Sequence, residues 1–224
     1  VSWVIDNLGL IGELTVQHLR QSIIAIVVGF VVSIPIGWIA FRWTALRGPV
    51  LSIVGLLFTI PSFALFALLT AFFGIPYLSE LNLIVALTIY AVAIMTRSVT
   101  EGLDSVDRAT RDAAVAVGFG PWRRFWTVEF PLAGPVLLAG LRVTAVSTIS
   151  LATVGILIGV ENLGYLFTNG SQRQIVAEVL AGVVAVMVIA LVIDLLLVLL
   201  GRVSMPWTRT QARAAAKRGK AAVA

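Results

Sequence analysis

Five long apolar runs separated by charged or turn-rich stretches dominate the chain: Gln17 to Phe41, Gly48 to Phe73, Leu81 to Met95, Ala133 to about Leu157, and Ile175 to Leu200. Crossing a bilayer core about 30 Å thick takes about 20 mostly apolar residues as helix. Backbone polar groups in lipid must be satisfied inside the protein, which leaves helices as the spanning element for runs of this kind. The expected fold is an all-α polytopic membrane protein with about five transmembrane helices. A composition of 59% hydrophobic and 12% charged residues places the chain outside the soluble globular average.

The cations set the orientation. If the segment between spans three and four is inside, so are Arg42, Arg47, Arg97, Arg108, Arg111, Arg123, Arg124, Arg142, Arg202 and five tail cations, with Arg20 and Arg173 outside. That asymmetry satisfies the positive-inside rule and predicts an N-terminus outside and a C-terminus inside. The net charge of +5 is then topology rather than a nucleic-acid footprint. Residues 1–16 are too short and too charged to span and are expected on the outer surface; residues 203–224 form a basic cytoplasmic tail. No cleavable signal peptide is evident, and a first residue of Val rather than Met leaves room for native residues before it.

Breaks and polar residues inside the spans carry further expectations. Pro35 is expected to kink span one, and Pro61-Ser62 interrupts span two, freeing a carbonyl that neighbouring groups or water must satisfy. Span four contains Thr144, Ser147, Thr148, Ser150 and Thr153, a hydroxyl face that serves either as glue between helices or as the wall of an aqueous path. His18 reads as a polar interface residue. Asp194 is the one acid well inside a span and reads as a carboxylate reached by water near the inner interface, two helical turns from Arg202. Asn162-Leu163-Gly164 and Asn169-Gly170-Ser171 are turn signals in an external segment.

Catalytic chemistry has little to stand on. There is no cysteine, a single histidine and no G-x-x-x-x-G-K-[ST] phosphate loop, so thiol chemistry, a His cluster and the usual ATP cradle are excluded. Asp104 and Asp107 are paired carboxylates in a mixed-charge helical segment, which reads as a solvated face. No catalytic or metal-binding residues are assigned. A secondary transporter or channel would need ion or filter groups at mid-depth, and no internal repeat is visible. A membrane enzyme would need a converging constellation that is absent.

The stretch Thr110 to Leu132 is polar and basic in an otherwise apolar chain. Its first half reads as a short helix ended by Gly118; a second helix begins at Pro121, with Trp122, Phe125, Trp126 and Phe130 on one face and Arg123 and Arg124 on the other, suited to a membrane surface. Asp112-Ala113-Ala114, then Gly118 after three residues, then Val128-Glu129-Phe130-Pro131, resembles the E-A-A-x-x-x-G…I-x-L-P loop of ABC importer permeases. Thr59 to Leu69 and Gly159-Val160-Glu161-Asn162-Leu163-Gly164 resemble the branch that carries osmoprotectants (glycine betaine, carnitine, choline, proline betaine), and the likeness runs from about Leu14 to Arg202. Asp112 replaces the usual Glu, Val128 and Phe130 replace Ile and Leu, and Glu161-Asn162 replaces a more glycine-rich pair.

The resemblance implies a multi-pass permease subunit of a bacterial inner membrane, occupying residues 17–202 with a coupling loop at about 98–132. It implies an ATP-driven importer for compatible solutes, with permeases for other small solutes as the alternative. It also implies partners: cytoplasmic ATPase subunits carrying the ATP and Mg, a second permease identical or sister to this one, and an extracytoplasmic binding protein, with no cofactor in this chain. Arg111, Asp112, Ala113, Ala114, Val117 and Gly118 are then the coupling residues. Pro61, Ser62, Phe63, Ser147, Thr148, Thr153, Glu161 and Asn162 are expected along the translocation path and its gate.

Overall fold

In the computed structural model of the protein, residues 2–207 are described, so the basic tail from position 208 onward lies outside the described residues. The elements in chain order are α1 (Ser2–Asp6), α2 (Leu8–Arg42), α3 (Thr44–Thr59), α4 (Ser62–Phe73), α5 (Glu80–Asp104), α6 (Arg108–Ala116) and α7 (Pro121–Arg124). A π turn (Phe125–Glu129), α8 (Phe130–Ala152), a 3-10 turn (Thr153–Ile158), α9 (Gly164–Gln172) and α10 (Val176–Ser204) complete the order, with no strand among the described residues. Four helices are long and apolar enough to cross a membrane, and the bent pair α3 and α4 makes a fifth crossing if counted as one.

The spans differ from their expected limits in informative ways. The first is longer: Leu8 to Val16 continues directly into the spanning helix instead of forming a separate surface segment, because no proline or turn residue interrupts the chain between Thr15 and the apolar run that starts at Gln17. Pro35 does not interrupt the helix; it sits exposed within α2. The fourth span also begins early, at Pro121, and runs without a break to Ile158 through the π and 3-10 turns. Pro121 therefore starts a spanning helix, not a separate surface helix. Likewise Asn169-Gly170-Ser171 is inside α9, since the chain turns later, at Gln174 with φ 58°.

Helix α5 is the centre of the bundle and packs against α2, α3, α4 and α8. Its tightest partner surface is a stripe on α2: Ala25, Gly29, Ser33 and Gly37 recur every fourth residue and are all buried, while Val27, Val28, Val31 and Val32 on the opposite side are exposed. A Cβ placed on Gly29 would lie 2.5 Å from the Ala91 Cβ, and one on Gly37 2.6 Å from the Val99 Cβ. Without lipid-excluding gain between helices, such close backbone contact is what holds a membrane bundle together. Thr100 adds a hydrogen bond from its hydroxyl to the Gly37 carbonyl at 3.3 Å.

The break in span two is sharp, α3 and α4 meeting at 109°. Pro61 has no N–H to offer the Leu57 carbonyl, which accepts from the Ile60 N–H at 3.4 Å, and the Ile60 carbonyl at the break accepts from the Tyr90 hydroxyl of α5 at 2.5 Å. The helix then stops at Gly74, whose φ of 68° is the left-handed cap. On α10, by contrast, most side chains are exposed, as befits a helix at the periphery of the bundle.

Candidate coupling surface and translocation path

At one end of the bundle, α6 stands clear of the spans. Its termination follows from sequence: Gly118, at φ 85°, lets its own N–H reach the Val115 carbonyl at 2.9 Å and the Phe119 N–H reach the Ala114 carbonyl at 3.0 Å. That reversed pair of bonds closes a Schellman cap, which only a residue tolerant of positive φ permits cheaply. Asp112, Ala113, Val117 and Gly118 are exposed, Val117 at 72%. Ala114 is not: it is buried at 7% against the rest of the chain, so of the two adjacent alanines only Ala113 offers a surface for another protein. Arg111 is half-buried, its Nη2 donating to the Val106 carbonyl at 2.9 Å and its guanidinium lying over the Phe41 ring. Its structural part is to tie α6 to the bundle.

The aromatic face expected after Pro121 turns out to be part of the packing. Trp38 of α2 meets Trp43, Trp122 and Phe125 edge-on at centroid distances of 5.9, 6.2 and 5.8 Å, and Phe125 is 2% exposed. Trp122 and Trp126 remain exposed on its rim, where amphipathic rings suit a membrane interface. Inside the π turn, Glu129 is fully buried and accepts from Arg124 Nε at 2.7 Å. Asp104 pairs with Arg47 at 2.5 Å, linking α5 to α3, and Asp107 stays exposed at the start of α6. These are structural and solvated roles for that carboxylate pair.

At the other end, the Gly159 to Gly164 turn is fastened from within. Gly159 takes φ 72° after the 3-10 turn. Asn162 is fully buried; its Nδ2 donates to Gln21 Oε1 at 3.0 Å and to the Ala152 carbonyl at 2.8 Å, and its Oδ1 accepts from the Gly164 N–H at 2.8 Å. Gln21 Nε2 donates in turn to the Glu161 carbonyl at 3.1 Å. Asn162 thus pins the turn to α2 and α8 and faces protein, not a path, while the Glu161 side chain is exposed beside it. Near this knot His18 is fully buried, its Nε2 donating to the Ile149 carbonyl at 2.9 Å, which corrects its placement at an interface. An exposed ion pair, Arg20 to Glu80 at 2.5 Å, closes the same end between α2 and α5.

The hydroxyls of span four divide between the two roles left open for them. Thr144 and Thr148 are buried in the bundle, Thr144 donating to the Gly140 carbonyl at 2.9 Å. Ser147 and Ser150 lie on the outer side of α8, and Thr153 donates to the Ser150 carbonyl at 2.7 Å. Pro61 and Phe63 are exposed at the bend, with Phe63 edge-on to Tyr77 at 6.2 Å and Ser62 half-buried.

Asp194 is also placed differently from its sequence reading. It accepts two hydrogen bonds from Arg142, from Nε at 2.6 Å and from Nη2 at 2.8 Å, a bidentate fork joining α8 to α10. Arg142 accordingly sits near the middle of α8 and not at the inner edge where the count of cations put it. Neither half of this pair was joined to the other from sequence; an arginine and an aspartate both inside spans were the available signal.

A bundle of spanning helices around α5, with one short amphipathic helix set at one end by a fixed turn, defines a multi-pass membrane protein. The family described as "binding-protein-dependent transport system inner membrane component" matches residues 29–210. The chain belongs to that family, and so is a permease component of an ABC importer, multi-pass in the inner membrane. It is 32% identical over 208 residues to the osmoprotectant import permease protein OsmW of Salmonella typhimurium, covering 92% of this chain and 97% of that one. It is 31% identical over 198 residues to the choline transport system permease protein OpuBB of Bacillus subtilis, covering 87% and 90%. The same identity and coverage relate it to the Bacillus subtilis glycine betaine/carnitine/choline permease OpuCB, the coverage again being 87% and 90%. Among solved structures, the inward-facing MetNI methionine ABC transporter superposes with a TM-score of 0.78 at 20% identity, covering 88% of this chain and 97% of that chain. That last likeness concerns the fold.

Proposed function

We propose that this permease imports compatible solutes bearing a quaternary ammonium group (glycine betaine, choline, carnitine or proline betaine) and that α6 is its coupling helix. The observation that carries the coupling reading is the exposed Asp112, Ala113 and Val117 surface of α6, presented at a fixed angle by the Gly118 cap. The substrate reading is supported by relatives named for osmoprotectant, choline, carnitine and glycine betaine transport that match nearly end to end.

In this reading the N-terminus is outside and the C-terminus inside, with α6 in the cytoplasm. ATPase subunits, which bind the ATP and Mg, seat α6 in a groove; Arg111 and Ala114 hold the helix in place while Asp112, Ala113, Val117 and Gly118 form its contact. A second permease completes the pore, and an extracytoplasmic binding protein delivers solute to the Glu161 end. The exposed Pro61 and Phe63 and the half-buried Ser147 belong to the path; Ser62, Thr148, Thr153 and Asn162 support its walls and gate. Alternating access then follows from moving α6 relative to the gate.

The test is ATP-driven uptake by the reconstituted complex with its ATPase and binding protein, using a panel of labelled glycine betaine, choline, carnitine, proline betaine and, for contrast, methionine and histidine. Accumulation of at least one quaternary ammonium solute, with solute-stimulated ATP hydrolysis, is expected. Uptake of the amino acids alone would instead assign the permease to another small solute.

A further inference from the structure

The Arg142–Asp194 fork is poorly placed for a staple facing lipid. Asp194 lies ten residues, roughly 15 Å along the axis, before the end of α10 at Ser204, and Arg142 is central in α8. At that depth the side chains are still 41% and 22% exposed in the single chain. Charges there face a water-filled cavity or protein, not hydrocarbon.

The surroundings agree. An open cleft is lined by Ala139, Arg142, Val143, Val146, Ser147 and Asp194, and the α8 members recur at helical spacing along one stripe. The opposite side of α8 carries Leu137, Thr144 and Thr148 into the core. The stripe sets one charge and one hydroxyl among Ala139, Val143 and Val146, where the exposed stripe of Val27, Val28, Val31 and Val32 on α2 carries neither.

The fork also leaves bonding capacity unused. Arginine has five N–H donors and Asp194 takes two, leaving the Nη1 pair and one Nη2 hydrogen, while the carboxylate keeps half its lone-pair positions. Side by side, the cleft offers a planar cation edge and an anion.

We propose that Arg142 and Asp194 form a dual-charge subsite in the translocation path for a zwitterion: the solute carboxylate on the free guanidinium edge, its quaternary ammonium against the Asp194 carboxylate. A quaternary ammonium has no hydrogen to donate, so it needs a charge and not a matched acceptor, and the second oxygen face of Asp194 supplies that. Ser147 lines the same cleft and offers a hydroxyl to solute or water. This subsite rests on the osmoprotectant reading, and the tests separate the two.

In the reconstituted complex, Arg142→Met with Asp194→Leu removes both charges while keeping apolar contact between α8 and α10, a replacement that ion pairs often tolerate. The expected result is normal assembly and basal ATP hydrolysis, with KM for glycine betaine uptake raised at least tenfold. The swap Arg142→Asp with Asp194→Arg restores a pair but reverses the cleft, and is expected not to rescue uptake. Because the chain has no cysteine, Ser147→Cys gives a single label that leaves the pair intact. A charged, water-soluble methanethiosulfonate should modify it, and millimolar glycine betaine should slow the reaction at least threefold. Wild-type uptake that persists unchanged in the double variant, full rescue by the swap, or a thiol in the Ser147→Cys variant that no aqueous reagent reaches would each overturn the subsite. Failure of the wild-type complex to move any betaine would overturn the substrate reading, and this subsite with it.

Discussion

Ala113 and Ala114 are neighbours with opposite tasks, and the difference decides how coupling is to be probed. Ala114 is buried against its own chain, so a large residue there distorts α6 whether or not an ATPase binds. Ala113 is exposed, and a Trp there leaves the fold intact but obstructs whatever seats on the helix. Ala113→Trp is expected to insert and purify normally yet lose ATPase co-purification and ATP-driven uptake, with overpacking of the contact costing about 1–3 kcal/mol. Retention of both activities would remove α6 from the coupling role. The buried Glu129 offers the complementary experiment: with Arg124 only 18% exposed, Glu129→Leu leaves a largely buried cation unpaired, at about 3–5 kcal/mol. A lower Tm of the purified permease is expected, larger than for any exposed α6 variant.

Among elements, the α2–α5 contact has the least slack. Gly29→Leu must push a Cβ into Ala91, whose own Cβ is fixed to a helix backbone, whereas Gly9 and Gly12 on the same helix have nothing within 4 Å. A marked fall in Tm and in yield of assembled complex is expected for Gly29→Leu, with Gly12→Leu close to wild type. The stripe of Ala25, Gly29, Ser33 and Gly37 repeats every four residues in the sequence, but the apolar pattern conceals it because small residues mark neither core nor lipid-facing positions. Apolar length gave the number of spans and Pro61 gave the broken one. Where each helix begins was less visible: the span from Leu8 carries Glu13, Gln17 and His18 in its early turns and the one from Pro121 carries Arg123 and Arg124, since interface turns can hold polar and charged residues at little cost. Long-range partners such as Asn162 with Gln21, or Arg142 with Asp194, were beyond reach, as only packing brings residues so far apart in sequence together.

For the whole molecule, the proposed path calls for a second wall. The cleft beside Arg142 opens outward from α8, not into the bundle around α5, so a path along it needs a wall from elsewhere. A second permease related by a two-fold axis is the economical supplier, whether identical or sister. Native mass measurement of the intact complex is expected to find two permease subunits. A single copy with its ATPases would show that the cleft faces something else.

The uninterrupted run from Pro121 to Ile158 makes the fourth span a shaft roughly 57 Å long, with α6 capped by Gly118 before one end and the Gly159 turn at the other. A shaft transmits rotation as well as displacement, so the angular phase between its two ends is a functional quantity. One alanine inserted between Ala139 and Gly140 would turn everything beyond by about 100°, and four alanines would bring the phase almost back at the cost of about 6 Å of extra length. The π turn at Phe125–Glu129 is such an added residue already present, accommodated locally. Its deletion would leave both ends of the shaft well formed and set them out of register with each other.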